Sequence, residues 1–394
     1  MNWTGALREV RTMRFEEVYG RFQRGRLSCA EAADILGMSE RNFLRYRTRY
    51  EVDGAEGLYD RRVGRASGRR MAVDVATRVI ALYATKYFDF NVKHFHEKLV
   101  TEHGFKVSYT WTKRVLQDAD QVKRAKKRGA HRRKRPRKAL PGMMLHQDGS
   151  RHHWVPDVEW DLIVTMDDAT SEIYSAFFVE QEGTMSTFQA LHEVIGRHGL
   201  FGSLYADRGS HYWITKAANQ GIDETTPTQV KRALDQLGIV LIPASAPEAR
   251  GRSERMFGTL QGRLPQELRA AGITTMAAAN RYLSEVFLPA HNAGFRVPAA
   301  EPGTAFIAYV GRDLADILCL QEDRVVGRDN CVAYKRLSLQ IPPDRHRHHY
   351  VRAKVRVHEY SDGRLAVFHG PRCLARYHAD GRLIGETKDA KTAA

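Results

Sequence analysis

Three acidic residues stand in segments of different build. Asp148 lies in Met144-Leu145-His146-Gln147-Asp148-Gly149-Ser150, Asp207 in Leu204-Tyr205-Ala206-Asp207-Arg208-Gly209-Ser210, and Glu254 in Ala249-Arg250-Gly251-Arg252-Ser253-Glu254-Arg255. The first two each close a short apolar run that reads as a strand, with a glycine within two residues to let the chain turn. The third opens a helical pattern. Acids at two strand ends and one helix start can converge on one point, which suits a pair of divalent cations acting on a phosphodiester. One metal positions and activates a water or a 3′-hydroxyl and the other stabilises the leaving oxygen, about 3.5–4 Å away. Hard cations prefer oxygen ligands, and Mg²⁺ keeps several waters and needs few carboxylates. The sequence therefore predicts Asp148, Asp207 and Glu254 as both catalytic and metal-binding residues, with two Mg²⁺ ions for which Mn²⁺ substitutes.

The substrate class follows from charge. The 394 residues carry 62 Lys and Arg against 46 Asp and Glu, a net charge of +16. That balance selects a polyanionic partner. Residues 123–138 hold eleven positive charges and no acid, and without them the chain would fall from +16 to +5. So dense a block repels itself, and its binding should weaken steeply with salt. The four cysteines, Cys29, Cys319, Cys331 and Cys373, lack the paired spacing of a zinc site or a disulfide framework. No phosphate-binding loop followed by Lys-Ser/Thr is present, which argues against an ATPase. The first residues lack a secretory pattern and no apolar run is long enough to span a bilayer, so no membrane partner is expected.

The elements that must position the acids follow from caps and periodicity. Residues 1–62 read as a helix-turn-helix domain: Ser28 caps one helix with Glu31 as capping-box partner, Gly37 breaks it, and Ser39 caps a third helix from Glu40 to about Tyr50. That helix presents Arg41, Asn42, Arg45, Arg47 and Arg49 to DNA, with Phe43, Leu44 and Tyr46 as packing surface. Residues 72–120 form a second helical domain, either another helix-turn-helix using Lys113 and Arg114 or a spacer bundle. A basic linker, 121–139, supplies Lys126, Lys127, Arg128, Arg132, Arg133, Lys134 and Arg135 as phosphate contacts. The catalytic region, 140–300, alternates strand and helix signals and implies a mixed sheet flanked by helices. Within it Phe257, Leu260, Leu264 and Leu268 form a buried stripe, Glu254 lies at its edge, and Arg250, Arg252 and Arg255 bring positive charge to the substrate. Asp167-Asp168-Ala169-Thr170 reads as a turn whose side chains bind local amides, and Glu248 and Glu267 are further rivals to Glu254. Residues 320–380 read as a small β-barrel with Arg352, Lys354 and Arg356 on one face, and 381–394 as a disordered tail. The fold class is thus multidomain α+β.

The order of these features resembles bacterial insertion-sequence transposases of the DDE, retroviral-integrase-like superfamily, closest to the ISNCY group. The matching segments are His146 to Ser150, Tyr205 to Ser210 and Ala246 to Arg255, and the resemblance is firm over residues 15–300. In the family's version of the last segment the Glu before Arg is the metal ligand, which selects Glu254 over Glu248. Forty-six residues separate Asp207 from Glu254, more than is usual for the family, with the surplus near Ala217 to Pro227. The resemblance implies an RNase H-like core holding two Mg²⁺ and binding to terminal inverted repeats. It further implies cleavage that frees 3′-hydroxyls, joining of those hydroxyls to target DNA, and a homodimer or larger assembly on paired ends. It also implies a bacterial, cytoplasmic and nucleoid-associated location. Two other readings stay open: an RNase H-like nuclease without strand transfer, and a catalytically inactive DNA-binding regulator.

Overall fold

The computed structural model describes residues 3–59, 71–124, 136–215, 222–223, 226–244 and 251–385. The chain divides into two compact units, Met1–Ala76 and Thr77–Ala394.

In the first unit α1 (Trp3–Gln23), α2 (Cys29–Ile35) and α3 (Glu40–Asp53) surround a core of Phe15, Val18, Tyr19, Ala32, Ala33 and Phe43. The predicted caps are in place. Ser28 and Glu31 form a reciprocal capping box on α2, and the Ser39 hydroxyl accepts the Asn42 amide on α3. Gly37 makes the turn between them at φ +66°, a left-handed conformation that glycine adopts without strain.

The second unit opens in α4 (Val73–Thr85), then α5 (Val92–Thr101) and α6 (Tyr109–Asp118), capped by Asn91 and Ser108. Val79, Tyr83, Phe95, Leu99 and Leu116 form the core of this module. The central sheet follows: β1 (Leu145–Val155), β2 (Val158–Asp167), β3 (Ile173–Val179), β4 (Ser203–Ala206) and, beyond the short pair β5 (Ile214–Thr215) and β6 (Ile222–Asp223), β7 (Val240–Pro243). Its order is β3-β2-β1-β4-β7, with β1, β2 and β3 antiparallel and β1, β4 and β7 parallel. The two sheet faces are covered separately. On one, α7 (Thr184–His198) and α8 (Gln229–Leu237) bury Leu191, Val194, Val230 and Leu234 against Leu145 and Leu204. On the other, α9 (Gly251–Gln261), α10 (Leu264–Ala270) and α11 (Met276–Tyr282) bury the predicted stripe Phe257, Leu260, Leu264 and Leu268 against Trp154, Leu162, Val164 and Phe178. α12 (Leu288–Phe295) closes this region, and its Asn292 pairs with the backbone of Ile173 on the β3 edge.

Two expectations are corrected. Asp148 does not end its strand: β1 runs eleven residues, through Asp148-Gly149-Ser150, because β2 pairs with it along that length. Nor do the C-terminal strands close into a barrel. Here β8 (Leu320–Val325), β11 (Lys354–Glu359), β12 (Leu365–His369) and β13 (Arg372–Tyr377) make an open antiparallel sheet, and β9 (Cys331–Tyr334) with β10 (Leu337–Gln340) a separate ribbon. Both share one core through Val332, Leu339, Val355, Val357 and Val367. Pro342 and Pro343 follow β10 and lack the amide donors that would carry the ladder onward. Lys354 and Arg356 do alternate with buried Val355 and Val357, while Arg352 lies in the preceding turn at φ +63°.

Candidate active site

The sheet register sets the two aspartates beside each other. β1 and β4 run parallel with Leu145 opposite Leu204 and His146 opposite Tyr205. Carried two residues further, that register places Asp148 level with Asp207, the first residue beyond β4. Alternation along the strands puts both on the face that α9 covers, since Trp154 and Ser150 share Asp148's parity and Ser150 Oγ accepts from Gln261 Nε2 of α9 at 2.9 Å. Asp148 and Asp207, with His146, Tyr205, Ala244 and Ser253, line one cavity of about 10 Å³. Each carboxylate also accepts the amide of the glycine that follows it, Gly149 at 3.1 Å and Gly209 at 2.8 Å.

A polar layer lies beneath. The fully enclosed Tyr212 hydroxyl donates to Gln147 Oε1 at 2.9 Å, and Gln147 Nε2 donates to Thr165 Oγ1 at 3.2 Å. Burial holds the Tyr212 hydroxyl far above its usual pKa, and the charges of Glu182, Asp207 and Asp148 add to that rise. Glu182 is a fourth acid that sequence reasoning missed. It packs against Gly149, where any Cβ would overlap its carboxylate, and its Oε1 lies 3.5 Å from His211 Nε2.

α9 is fastened at its start. The Arg252 guanidinium is paired with the buried Asp168 carboxylate, which also accepts from His146 Nε2 at 2.7 Å and from the Lys138 amide at 2.8 Å. Burial would raise the Asp168 carboxyl, but the His146, Lys138 and Arg252 donors outweigh it and hold the group well below the carboxylate range. Its neighbour Asp167 accepts the amides of Gly142 and Thr170, and here burial wins and pushes the carboxyl up. The turn at Asp167–Thr170 thus matches the expectation of local amide binding only at the Thr170 amide; the Gly142 and Lys138 amides come from the segment before β1, and Asp168 is engaged by Arg252 and His146.

Not every predicted residue joins the cavity. Ser253 lines it, whereas the next residue, Glu254, is exposed to solvent. Among the described residues no three His, Cys, Asp or Glu side chains are grouped closely enough to hold a metal ion. Arg252 faces Asp168, Arg255 is exposed, and Arg250 lies outside the described residues. So do Lys126, Lys127, Arg128, Arg132, Arg133, Lys134 and Arg135. On α3, Arg41 and Arg45 are exposed, Arg47 is 3.5 Å from Glu51, and Arg49 donates to the Tyr59 carbonyl at 2.9 Å. Asn42 is partly exposed, and Leu44, expected to pack, is 40% exposed beside Arg41 and Arg45. On α6, Arg114 is exposed and Lys113 half-buried. His146 and Tyr205 are wall residues with no predicted role, although period two from each aspartate points to them.

Comparison with known proteins gives four matches. A winged helix-turn-helix family model matches residues 22–72. y4bF of Sinorhizobium fredii (strain NBRC 101917 / NGR234), a protein named as a transposase, is 31% identical over 355 residues, covering 89% of this chain and 77% of its own. The transposase for insertion sequence IS1202 of Streptococcus pneumoniae is 27% identical over 293 residues, covering 66% of this chain and 63% of its own. Among solved structures, a chain of the simian T-cell lymphotropic virus intasome in complex with PP2A regulatory subunit B56 gamma aligns over 77% of this chain and 97% of its own, at 15% identity and a TM-score of 0.35.

Proposed function

The chain belongs to the family of bacterial insertion-sequence transposases, and from that premise we propose that its core cleaves the element's ends and joins them to target DNA. The observation that carries this is the register that brings Asp148 and Asp207 to one cavity on the α9 face. In this reading the core is an RNase H-like domain and the two aspartates share metal binding with Glu254. Their oxygens are the hard donors that Mg²⁺ takes. Held by Asp148, Asp207 and Glu254, two Mg²⁺ ions would supply activation of the attacking water or 3′-hydroxyl and charge stabilisation at the leaving oxygen.

The residues divide the remaining work. Asp148 and Asp207 form the fixed half of the site, held by the sheet and by the glycine amides. Glu254 is the movable half: Ser253 lines the cavity, so Glu254, the next residue of α9, has to turn inward to share the metals. The Arg252–Asp168 pair keeps the start of α9 at the sheet while it does so. Arg255 meets the substrate's phosphates. In cleavage the water oxygen bonds to phosphorus as the bond to the 3′-oxygen breaks, leaving a 3′-hydroxyl and a 5′-phosphate. In joining, that 3′-hydroxyl attacks a target phosphorus and displaces the target's own 3′-oxygen. The helix-turn-helix binds the terminal repeats through Arg41 and Arg45, and the active form is a homodimer or larger assembly on paired ends.

The exposed position of Glu254 favours one other reading, a DNA-binding regulator without cleavage. Labelled repeat-ended DNA incubated with Mg²⁺ separates the two. Cleaved and joined products that disappear with Glu254→Gln support the transposase mechanism. Salt-sensitive binding with no product from the unaltered protein, on correctly identified ends, supports the regulator.

A further inference from the structure

The α4–α6 module has the helix order of a second DNA reader, yet α5 is built into the catalytic region rather than tethered to it. Asn91, which caps α5, donates its side-chain amide to the Gly262 carbonyl at 3.0 Å, in the elbow between α9 and α10. Arg263 in the same elbow donates to Glu97 of α5 at 2.6 Å. One turn on, the buried Glu267 of α10 collects three donors: His94 at 2.7 Å, Lys98 at 2.8 Å and Tyr282 at 2.9 Å. At the far end Arg269 grips both oxygens of Asp89, at 2.8 and 2.6 Å.

A flexible attachment needs no buried charges. Charged networks taken out of water are best attested where they fix register between packed elements. This network fixes α5 on the pair of helices that begins beside Glu254 and, through Gln261 and Ser150, meets β1 two residues from Asp148. On its other side α5 carries α6, where Tyr109 and Arg114 are exposed.

We propose that Glu267 is a positioning residue that registers the α5–α6 module on the α9–α10 elbow, so that duplex DNA held on α6 meets the Asp148–Asp207 cavity at one setting. This rests on the transposase mechanism above. Its consequence is positional: one phosphodiester near each end is presented for cutting, chosen by the α6-to-cavity spacing.

The test uses the full chain on repeat-ended duplex, with Arg263→Glu, Glu97→Arg, the charge-swapped double variant and Glu267→Gln. The nucleotide position of each nick is read, together with amide hydrogen exchange in α10 with and without DNA. Arg263→Glu and Glu97→Arg should each bind DNA as before yet lose about 10²-fold at the main position, as small misplacements do. Their nicks should spread to neighbouring phosphodiesters, and the double variant should restore a single position. A folded Glu97→Arg or Glu267→Gln protein that still nicks only the original phosphodiester would overturn the proposal. If the unaltered protein cuts no authentic end, the transposase mechanism fails and hydrogen exchange alone decides registration. DNA that slows exchange in α10 of the unaltered and swapped proteins, but not of Arg263→Glu, supports it; exchange indifferent to DNA overturns it.

Discussion

At the residue scale, the acids that matter are separated by what surrounds them. Asp167 and Asp168 are neighbours and both enclosed, yet one is pushed up and the other pulled down, because only Asp168 has Arg252 and His146 as partners. Arg252→Ala should therefore cost about 1–3 kcal/mol by removing one of the donors to a buried carboxylate, read by denaturant unfolding, and should reduce cleavage more than DNA binding. Glu267 makes the pH dependence explicit. Burial raises its carboxyl, but His94 and Lys98 outweigh this and bring it down to about 2 from 4.5. A depressed folded value means that the stability it contributes is complete above pH about 4.5 and is lost as pH falls towards 2. Melting temperatures of Glu267→Gln should thus be lower than normal at neutral pH and converge with normal in that acid window. The place of Asp207 just beyond β4 was legible in the sequence because an apolar run precedes it and a turn follows. The exposure of Glu254 and the nearness of Glu182 to Gly149 were not, since both depend on chain segments packed from elsewhere.

At the element scale, local chemistry is legible in the sequence and long-range pairing is not. The capping residues of α2 and α3 stand where Ser28 and Ser39 predict, because a cap is satisfied within four residues. β1 departs from the expectation because Asp148-Gly149-Ser150 has the composition of a turn, while its pairing with β2, from Leu145–Asp167 to Val155–Val158, keeps it extended. The docking of α5 left no local trace: Glu267 and His94 are 173 residues apart in sequence. On α3 the structure sorts arginines that sequence had treated alike. Arg41→Ala or Arg45→Ala should each lower the slope of log affinity against log salt by about one, as a lost phosphate contact does. Arg47→Ala should change it little, because Arg47 is engaged with Glu51.

At the scale of the whole molecule, charge and chemistry are divided along the chain. The first unit holds the helix-turn-helix, the second holds the paired aspartates, and the eleven charges of residues 123–138 fall between the helical module and the sheet. Replacing those eleven by neutral residues should flatten the salt dependence by about 0.9 for every phosphate that the tract neutralises, with binding measured from low to moderate salt. The central claim, that Asp148, Asp207 and Glu254 cut DNA through bound metal, is tested most directly by sulfur at the scissile phosphate. Cleavage of a phosphorothioate end should fail with Mg²⁺ and return with the more thiophilic Mn²⁺, and Asp207→Asn should abolish the return. Cleavage that ignores the sulfur, or that survives removal of divalent metal by chelation, would contradict the account.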